Sequence, residues 1–279
     1  MAALLLFAWS VLRAQGEEKE EETPWSTNEA TLVGAGGYLV KDTYLSPLKY
    51  TGWGVHVLNE RMKMVSWFDH RVSRQQILNV AISSTDNPAE NASDFTGFID
   101  YTLGYHYRLA PLPGLKVLLG PSVRGELGFI YNTRNGNNPA AAKAGINFNL
   151  SAMAVYTLRI RNYPLTVRYQ FDTPFAGALF APHYGQSYYE IFDLGNHKGV
   201  VAFASFHNQL AFRNYLTVDL PVANFTLRTG FLNQSYRTRI HHIRSRVVSQ
   251  SFMIGLVKEF VSFGGKRLKQ TGRYASAFY

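Results

Sequence analysis

KAGINFNLSAMAVYTLRI, residues 143–160, puts Ala144, Ile146, Phe148, Leu150, Ala152, Ala154, Tyr156, Leu158 and Ile160 on one side. The other side carries Lys143, Asn147, Asn149, Ser151, Thr157 and Arg159. Period-two alternation marks a strand with one apolar and one polar face, yet an ordinary globular strand has only about five or six residues. A segment of 18 residues, at about 3.3 Å per residue and tilted by about 45°, rises roughly 40 Å, enough to cross hydrocarbon and both interfaces.

Several other segments repeat the pattern. Residues 94–108 set Phe95, Ile99, Tyr101, Leu103, Tyr105 and Tyr107 against Thr96, Asp100, Thr102, His106 and Arg108. Residues 115–132 oppose Leu119, Val123, Leu127 and Phe129 to Ser122, Arg124 and Glu126. Segments 165–172, 206–220, 225–231 and 251–260 continue the series, while 29–40, 50–60 and 65–84 alternate less cleanly. Short links are read at ERMKM near 61, at 110–114, at 161–164 and at 221–224, and longer polar links after the odd-numbered strands, IHHIRSR being the last. Strict alternation of short and long connections is the signature of an up-and-down meander with short periplasmic turns and long outer loops. The count is ten antiparallel strands, or twelve if 174–199 holds a further hairpin.

Composition agrees with a β-rich chain. The 279 residues include 19 Phe, 17 Tyr, 4 Trp and 23 Gly, a mixture suited to pleated surfaces. After the first dozen residues no apolar run approaches the ~18 of a spanning helix. With no cysteine, thiolate metal sites, disulfides and cysteine nucleophiles are excluded. The net charge of +9 is scattered rather than clustered, which argues against nucleic acid.

MAALLLFAWSVLRAQG, residues 1–16, reads as a cleaved export signal ending in a small-x-small site, without the usual basic residue before its apolar stretch. A disordered acidic segment at 17–28, a barrel at 29–263 and a basic periplasmic tail at 264–279 follow. A soluble lipocalin-like barrel would turn its apolar face inward. Strand length, export, aromatic residues near strand ends and a polar face holding both charge signs favour instead a closed transmembrane barrel in a Gram-negative outer membrane. Closure is required there, because an open sheet edge in lipid leaves backbone groups unsatisfied.

Residues 182–196, 208–231 and 249–260 resemble a family of uncharacterised Bacteroidetes proteins classed as a domain of unknown function, over most of the mature chain. The resemblance implies an exported envelope barrel with no assigned activity. The final strand looks like the signal read by the barrel-assembly machinery, with Gly255 and Phe260 matching and Lys258 standing where an aromatic belongs.

Few residues suggest chemistry. Ser205 and His207 stand two apart, the spacing that sets a nucleophile and its base on one strand face, but strand parity places both toward the lumen and the barrel lipid hydrolases show the reverse order. Two lumen-lining polar residues is the plainer reading. Arg237 and Arg239 continue the lipid-facing parity of Phe225, Leu227 and Phe231 past the hydrocarbon band, where a guanidinium suits lipopolysaccharide phosphate; a solvated loop is the competing reading. GAGG at 34–37 lacks the Lys-Ser/Thr and helix of a phosphate loop. No cofactor and no metal site is read. Ten strands enclose a lumen largely filled by side chains, so a structural, adhesive or assembly-partner role ranks above a wide pore. A membrane-embedded lipid or lipopolysaccharide hydrolase and a soluble binding barrel stand as alternatives.

Overall fold

The computed structural model describes residues 25–160, 163–222, 225–261 and 275–276. The expected export signal at 1–16, most of the expected acidic segment and most of the expected basic tail lie outside them. Strands β1 (Trp25–Asp42), β2 (Tyr50–Val65), β3 (Val72–Asp86), β4 (Ser93–Leu112), β5 (Leu115–Asn132), β6 (Ala140–Ile160) and β7 (Tyr163–Phe180) follow in order. A short helix α1 (Tyr188–Phe192) and β8 (Val201–Ser205) precede β9 (Gln209–Val222), β10 (Phe225–Ile240) and β11 (Ile243–Val261). A two-residue strand β12 (Ala275–Ser276) runs parallel to the start of β1.

Ten of these strands form a closed antiparallel ring. Each pairs with its neighbour in sequence, β7 passes to β9, and β11 returns to β1 over 17 residue pairs from Ser26↔Val261 to Asp42↔Ser245. β1 begins four residues before position 29. Close approach at the closing seam explains Gly34 and Gly36 of GAGG: a Cβ on Gly34 would overlap the Phe252 carbonyl, one on Gly36 the Gln250 carbonyl, and one on Gly255 that of Thr31. These are strand glycines that let two backbones meet.

The apolar face is outside. On β6, Ile146, Phe148 and Leu150 are 54%, 49% and 54% exposed, whereas Asn147, Asn149 and Ser151 are 1%, 4% and 5% exposed. The same parity runs through Val55 and Val57 on β2, Val80 and Ile82 on β3, and Phe252, Ile254 and Leu256 on β11. An inward apolar face, as a soluble binding barrel requires, is therefore overturned. Aromatics fringe the band at both ends, with exposed Trp53 and Tyr131 near one and Trp67, Phe68, Tyr107, Tyr156 and Tyr163 near the other. Trp67 stacks on Tyr105 at 5.1 Å and Phe68 meets Tyr107 edge-on, the placement of an interfacial girdle.

Connections depart from strict alternation in two places. ERMKM lies inside β2, and the link to β3 is 66–71. IHHIRSR is no long loop: β10 and β11 join through His241 and His242 alone, both at positive φ (49° and 66°). That is the two-residue hairpin geometry usually made by Asn-Gly or Asp-Gly, so no turn residue marked it. The two ends still differ. The end bearing both barrel termini carries the links at 66–71 and 113–114 and the short connections from Ile160 to Tyr163 and from Val222 to Phe225, and the opposite end, here the loop end, carries 43–49, 87–92, 133–139 and 181–200.

Segment 174–199 supplies no extra barrel hairpin. β8 lies off the ring, paired to the upper part of β7. Between Asp172↔Arg213 and Ala176↔Ser205, β7 advances four residues while the opposing chain covers eight. Thus β8 continues the line of β9 across a looped-out turn at 206–208.

Candidate functional site

Polar residues on alternate strand positions project inward and fill the lumen. At their centre is Glu60 of β2, fully buried, whose carboxylate accepts from Arg168 Nη1 (2.5 Å) and Nη2 (2.8 Å), Arg228 Nη1 (2.8 Å) and Gln75 Nε2 (2.5 Å). Counting around the ten-strand ring, β2 and β7 are five strands apart in either direction. The Glu60–Arg168 fork therefore spans the full bore. Arg228 in turn holds Asp219 through Nε (2.6 Å) and Nη2 (2.7 Å).

A second layer lies toward the loop end. Arg213 Nε donates to Asp172 at 3.0 Å, and Arg124 Nη2 lies 3.1 Å from Asp100 and 3.5 Å from Glu126. A relay of Tyr38, His56, Asn79 and Asp100 crosses four adjacent strands, with separations of 2.5, 3.1 and 2.8 Å. Toward the terminal end, Met62, Met64, Leu118, Met153 and Val155 form a buried apolar layer. Charge pairs above and packed thioethers below leave no wide channel; buried charges are tolerated because they are paired and hydrogen-bonded.

Asp100, Arg124 and Glu126, read from the sequence as one polar face, meet there with Arg168, Asp172, Arg213, Asp219 and Arg228. Glu60 was missed. Its strand inverts at that height: Arg61 and Lys63 point outward, Arg61 to Glu29 at 3.0 Å, and Met62 and Met64 point inward. A strand leaving the hydrocarbon loses the polarity rule that reveals its faces, and only the unbroken parity of His56, Leu58 and Glu60 would have signalled it.

Above the ion pairs is a cavity of about 110 Å³, lined among others by Gln209, Gln234, Lys143, Leu179 and Tyr236. Neither amide atom of Gln209, nor Nε2 of Gln234, has a hydrogen-bond partner in the protein. That space is polar and large enough to hold water. Loop 181–200 roofs it. Ser187 caps α1 and makes a reciprocal box with Glu190, whose carboxylate accepts from the Ser187 N–H at 2.7 Å. This bond holds the Glu190 carboxyl below the usual carboxylate range. The rings of Phe180, Tyr188 and Phe192 form a triangle, near-parallel and 6.3–6.4 Å apart, and burial pushes the Tyr188 phenol up to about 12. Tyr44 donates to the Gln186 carbonyl at 2.8 Å, and burial raises its phenol too. The His183 ring stacks on His241 at 4.0 Å, pinning the loop to the β10–β11 turn.

Ser205 and His207 do meet, with Oγ 2.6 Å from Nδ1, but not in the lumen. Ser205 is half-buried on the outward parity of Val201 and Phe203, and His207 is exposed in the 206–208 turn. The parity count failed because the looped-out residues shift the register between β8 and β9. Among the described residues no carboxylate bonds His207, and no cluster of three metal-ligating side chains occurs.

Arg237 and Arg239 are exposed on the outward face near the loop end, as their parity with Phe231 indicates. Across the β10–β11 hairpin Arg237 faces Arg246 and Arg239 faces Arg244.

Solved structures similar in chain course include the translocator domain of the autotransporter NalP from Neisseria meningitidis, at 12% identity over 93% of this chain and 97% of that one, TM-score 0.43. Others are the transport unit of the autotransporter AIDA-I from Escherichia coli (10%, 92% and 97%, 0.45) and the outer membrane protease OmpT from Escherichia coli (10%, 87% and 99%, 0.43). The barrel assignment rests on the faces and registers above rather than on these likenesses. No curated protein matches the chain. The family described as "Protein of unknown function (DUF3316)" matches residues 1–267, and the chain belongs to it.

Proposed function

We propose that the protein is an integral barrel of a bacterial outer membrane that conducts no bulk solute and works through its outer surface, in a structural, adhesive or assembly-partner role. The observation that carries this reading is the Glu60–Arg168 fork across the bore, backed by the apolar layer beneath it. In that setting the loop end faces outward, the termini face the periplasm, outer-membrane lipids cover the apolar band, and the barrel-assembly machinery inserts the chain. The test is conductance after reconstitution in a planar bilayer. The wild-type barrel should give no discrete steps, and the triple variant Glu60→Ala, Arg168→Ala, Arg228→Ala should give small ones. Large, steady wild-type steps would refute the reading.

A second reading, a lipid hydrolase, draws on the Ser205–His207 contact and its outward placement. Incubation with phospholipid and lipopolysaccharide vesicles decides it: wild-type acyl release abolished by Ser205→Ala would support hydrolysis, and no release would remove it.

A further inference from the structure

At the loop end of the closing seam, five cations share the outward face. Arg237 of β10, Arg246 of β11 and Lys41 of β1 are consecutive partners in one row, and Arg239 faces Arg244 in the row two residues higher. Directly paired residues project to the same side of a sheet. With strands about 4.8 Å apart and about 3.4 Å per residue along them, the cluster covers roughly 10 by 7 Å.

No described residue neutralises it. Among the described residues none of the five lies within ion-pair distance of a carboxylate, and residues 233–250 contain no Asp or Glu. Asp42, beside Lys41 in sequence, points to the other face and holds Lys143 at 2.5 Å. Nε of Arg246 is buried and has no hydrogen-bond partner. Like charges directly opposed across strands are destabilising, so this arrangement is costly unless an anion sits on it. By contrast, outward Arg61 near the terminal end has Glu29 at 3.0 Å.

The height of the cluster identifies the anion. Leu210, 53% exposed, shares the row of Arg237, and Leu39 pairs with Val248 in the row just below Lys41 and Arg246. The continuous apolar band ends at the row of Leu216, Phe231 and Phe252; a polar row of Asn214, Asn233 and Gln250 and a mixed row of Phe212, Ser235, Val248 and Leu39 follow, and the cations stand just above these, at the depth of lipid headgroups. Arginine presents a planar fork that matches phosphate oxygens two at a time. Two rows of cations suit more than one phosphate.

We propose that Lys41, Arg237, Arg239, Arg244 and Arg246 bind the phosphates of a multiply phosphorylated glycolipid of the outer leaflet, whose acyl chains lie along the Leu39, Val248 and Leu210 strip. This rests on the outer-membrane orientation given above, since the site must face the outer leaflet.

The test uses the full chain folded in nanodiscs and native mass spectrometry with three probes: bisphosphorylated lipid A, its monophosphorylated form, and inorganic pyrophosphate. Wild type should retain the bisphosphorylated lipid at least tenfold better than the monophosphorylated one. The variant Arg237→Gln, Arg239→Gln, Arg244→Gln, Arg246→Gln should lose that preference, the single Arg239→Gln should lose part of it, and Arg61→Gln should keep it. Equal retention by wild type and the fourfold variant would overturn the site, and pyrophosphate competing as well as the lipid would overturn a lipid source. Gel mobility before boiling reports folding of every variant. A barrel that never inserts into the discs refutes the membrane reading itself; an inserted barrel without discrimination refutes only the glycolipid site. If the fourfold variant does not fold, Arg239→Gln decides alone.

Discussion

Arg228 Nη1 lies 2.8 Å from Glu60 Oε2 while its Nε and Nη2 clamp Asp219, joining β2 to β9 and β10 inside the bore. Breaking one member of such a buried set leaves charge without its designed counter-ion, which costs about 3–5 kcal/mol. Glu60→Gln removes the anion that Arg168 and Arg228 share. The compact unboiled form should then be lost at a clearly lower temperature on a detergent gel. Arg61→Gln, which breaks the half-exposed pair with Glu29, should shift that temperature little, since exposed pairs contribute about 0–1 kcal/mol. Equal shifts for both would contradict the central place of Glu60.

The lipid face makes a separate demand. Leu150 is halfway along β6 and 54% exposed. Arginine on a lipid face at the bilayer midplane costs about 2–4 kcal/mol. Urea titration of Leu150→Arg in lipid vesicles should show a loss of that size, whereas an unchanged midpoint would mean that Leu150 does not face hydrocarbon.

The His241–His242 turn holds two non-glycine residues in the left-handed region, at a cost of roughly 1–2 kcal/mol each. His242 is exposed. His242→Gly should therefore stabilise the barrel by about 1 kcal/mol, read as a raised urea midpoint. A lowered midpoint would mean that the imidazole makes a contact worth more than the relief.

The roof over the cavity should respond to acid. Because the Ser187 N–H lowers the Glu190 pKa, the stabilisation of α1 is present above the ordinary carboxylate range and is lost as pH falls through the lowered value. Protection factors of the backbone amides at residues 188–193 should fall on acidification in wild type. In Glu190→Ala, which removes the acceptor, they should be low already and independent of pH. A wild-type profile matching that of the variant would sink the idea.

Legibility of the sequence followed the membrane. Where a strand crosses hydrocarbon, as at Ile146 to Leu150 or Leu216 to Asp219, one face must be apolar and the other must fill a charged lumen, so parity was visible. Outside that band the constraint lapses. β2 carries Arg61 and Lys63 outward and Met62 and Met64 inward, and there its second half read as a turn. The β10–β11 hairpin used histidines in place of Asn-Gly and read as a loop. Ser205 and His207 were assigned the wrong side because residues looped out at 206–208 break the period-two count, an event with no local signature. The arginine site was half visible: Arg237 and Arg239 declared their face, but Arg244, Arg246 and Lys41 joined them only through the register of the hairpin and of the β1–β11 seam.

The most direct test of a closed barrel with lipid outside and ion pairs inside is a nitroxide scan along β6. The chain has no cysteine, so single-cysteine variants from 144 to 152 need no altered background. In lipid vesicles, collision with dissolved oxygen should be high for labels at 144, 146, 148, 150 and 152 and low at 145, 147, 149 and 151, with a strict period of two. Low values at all nine positions, or the opposite phase, would contradict the account.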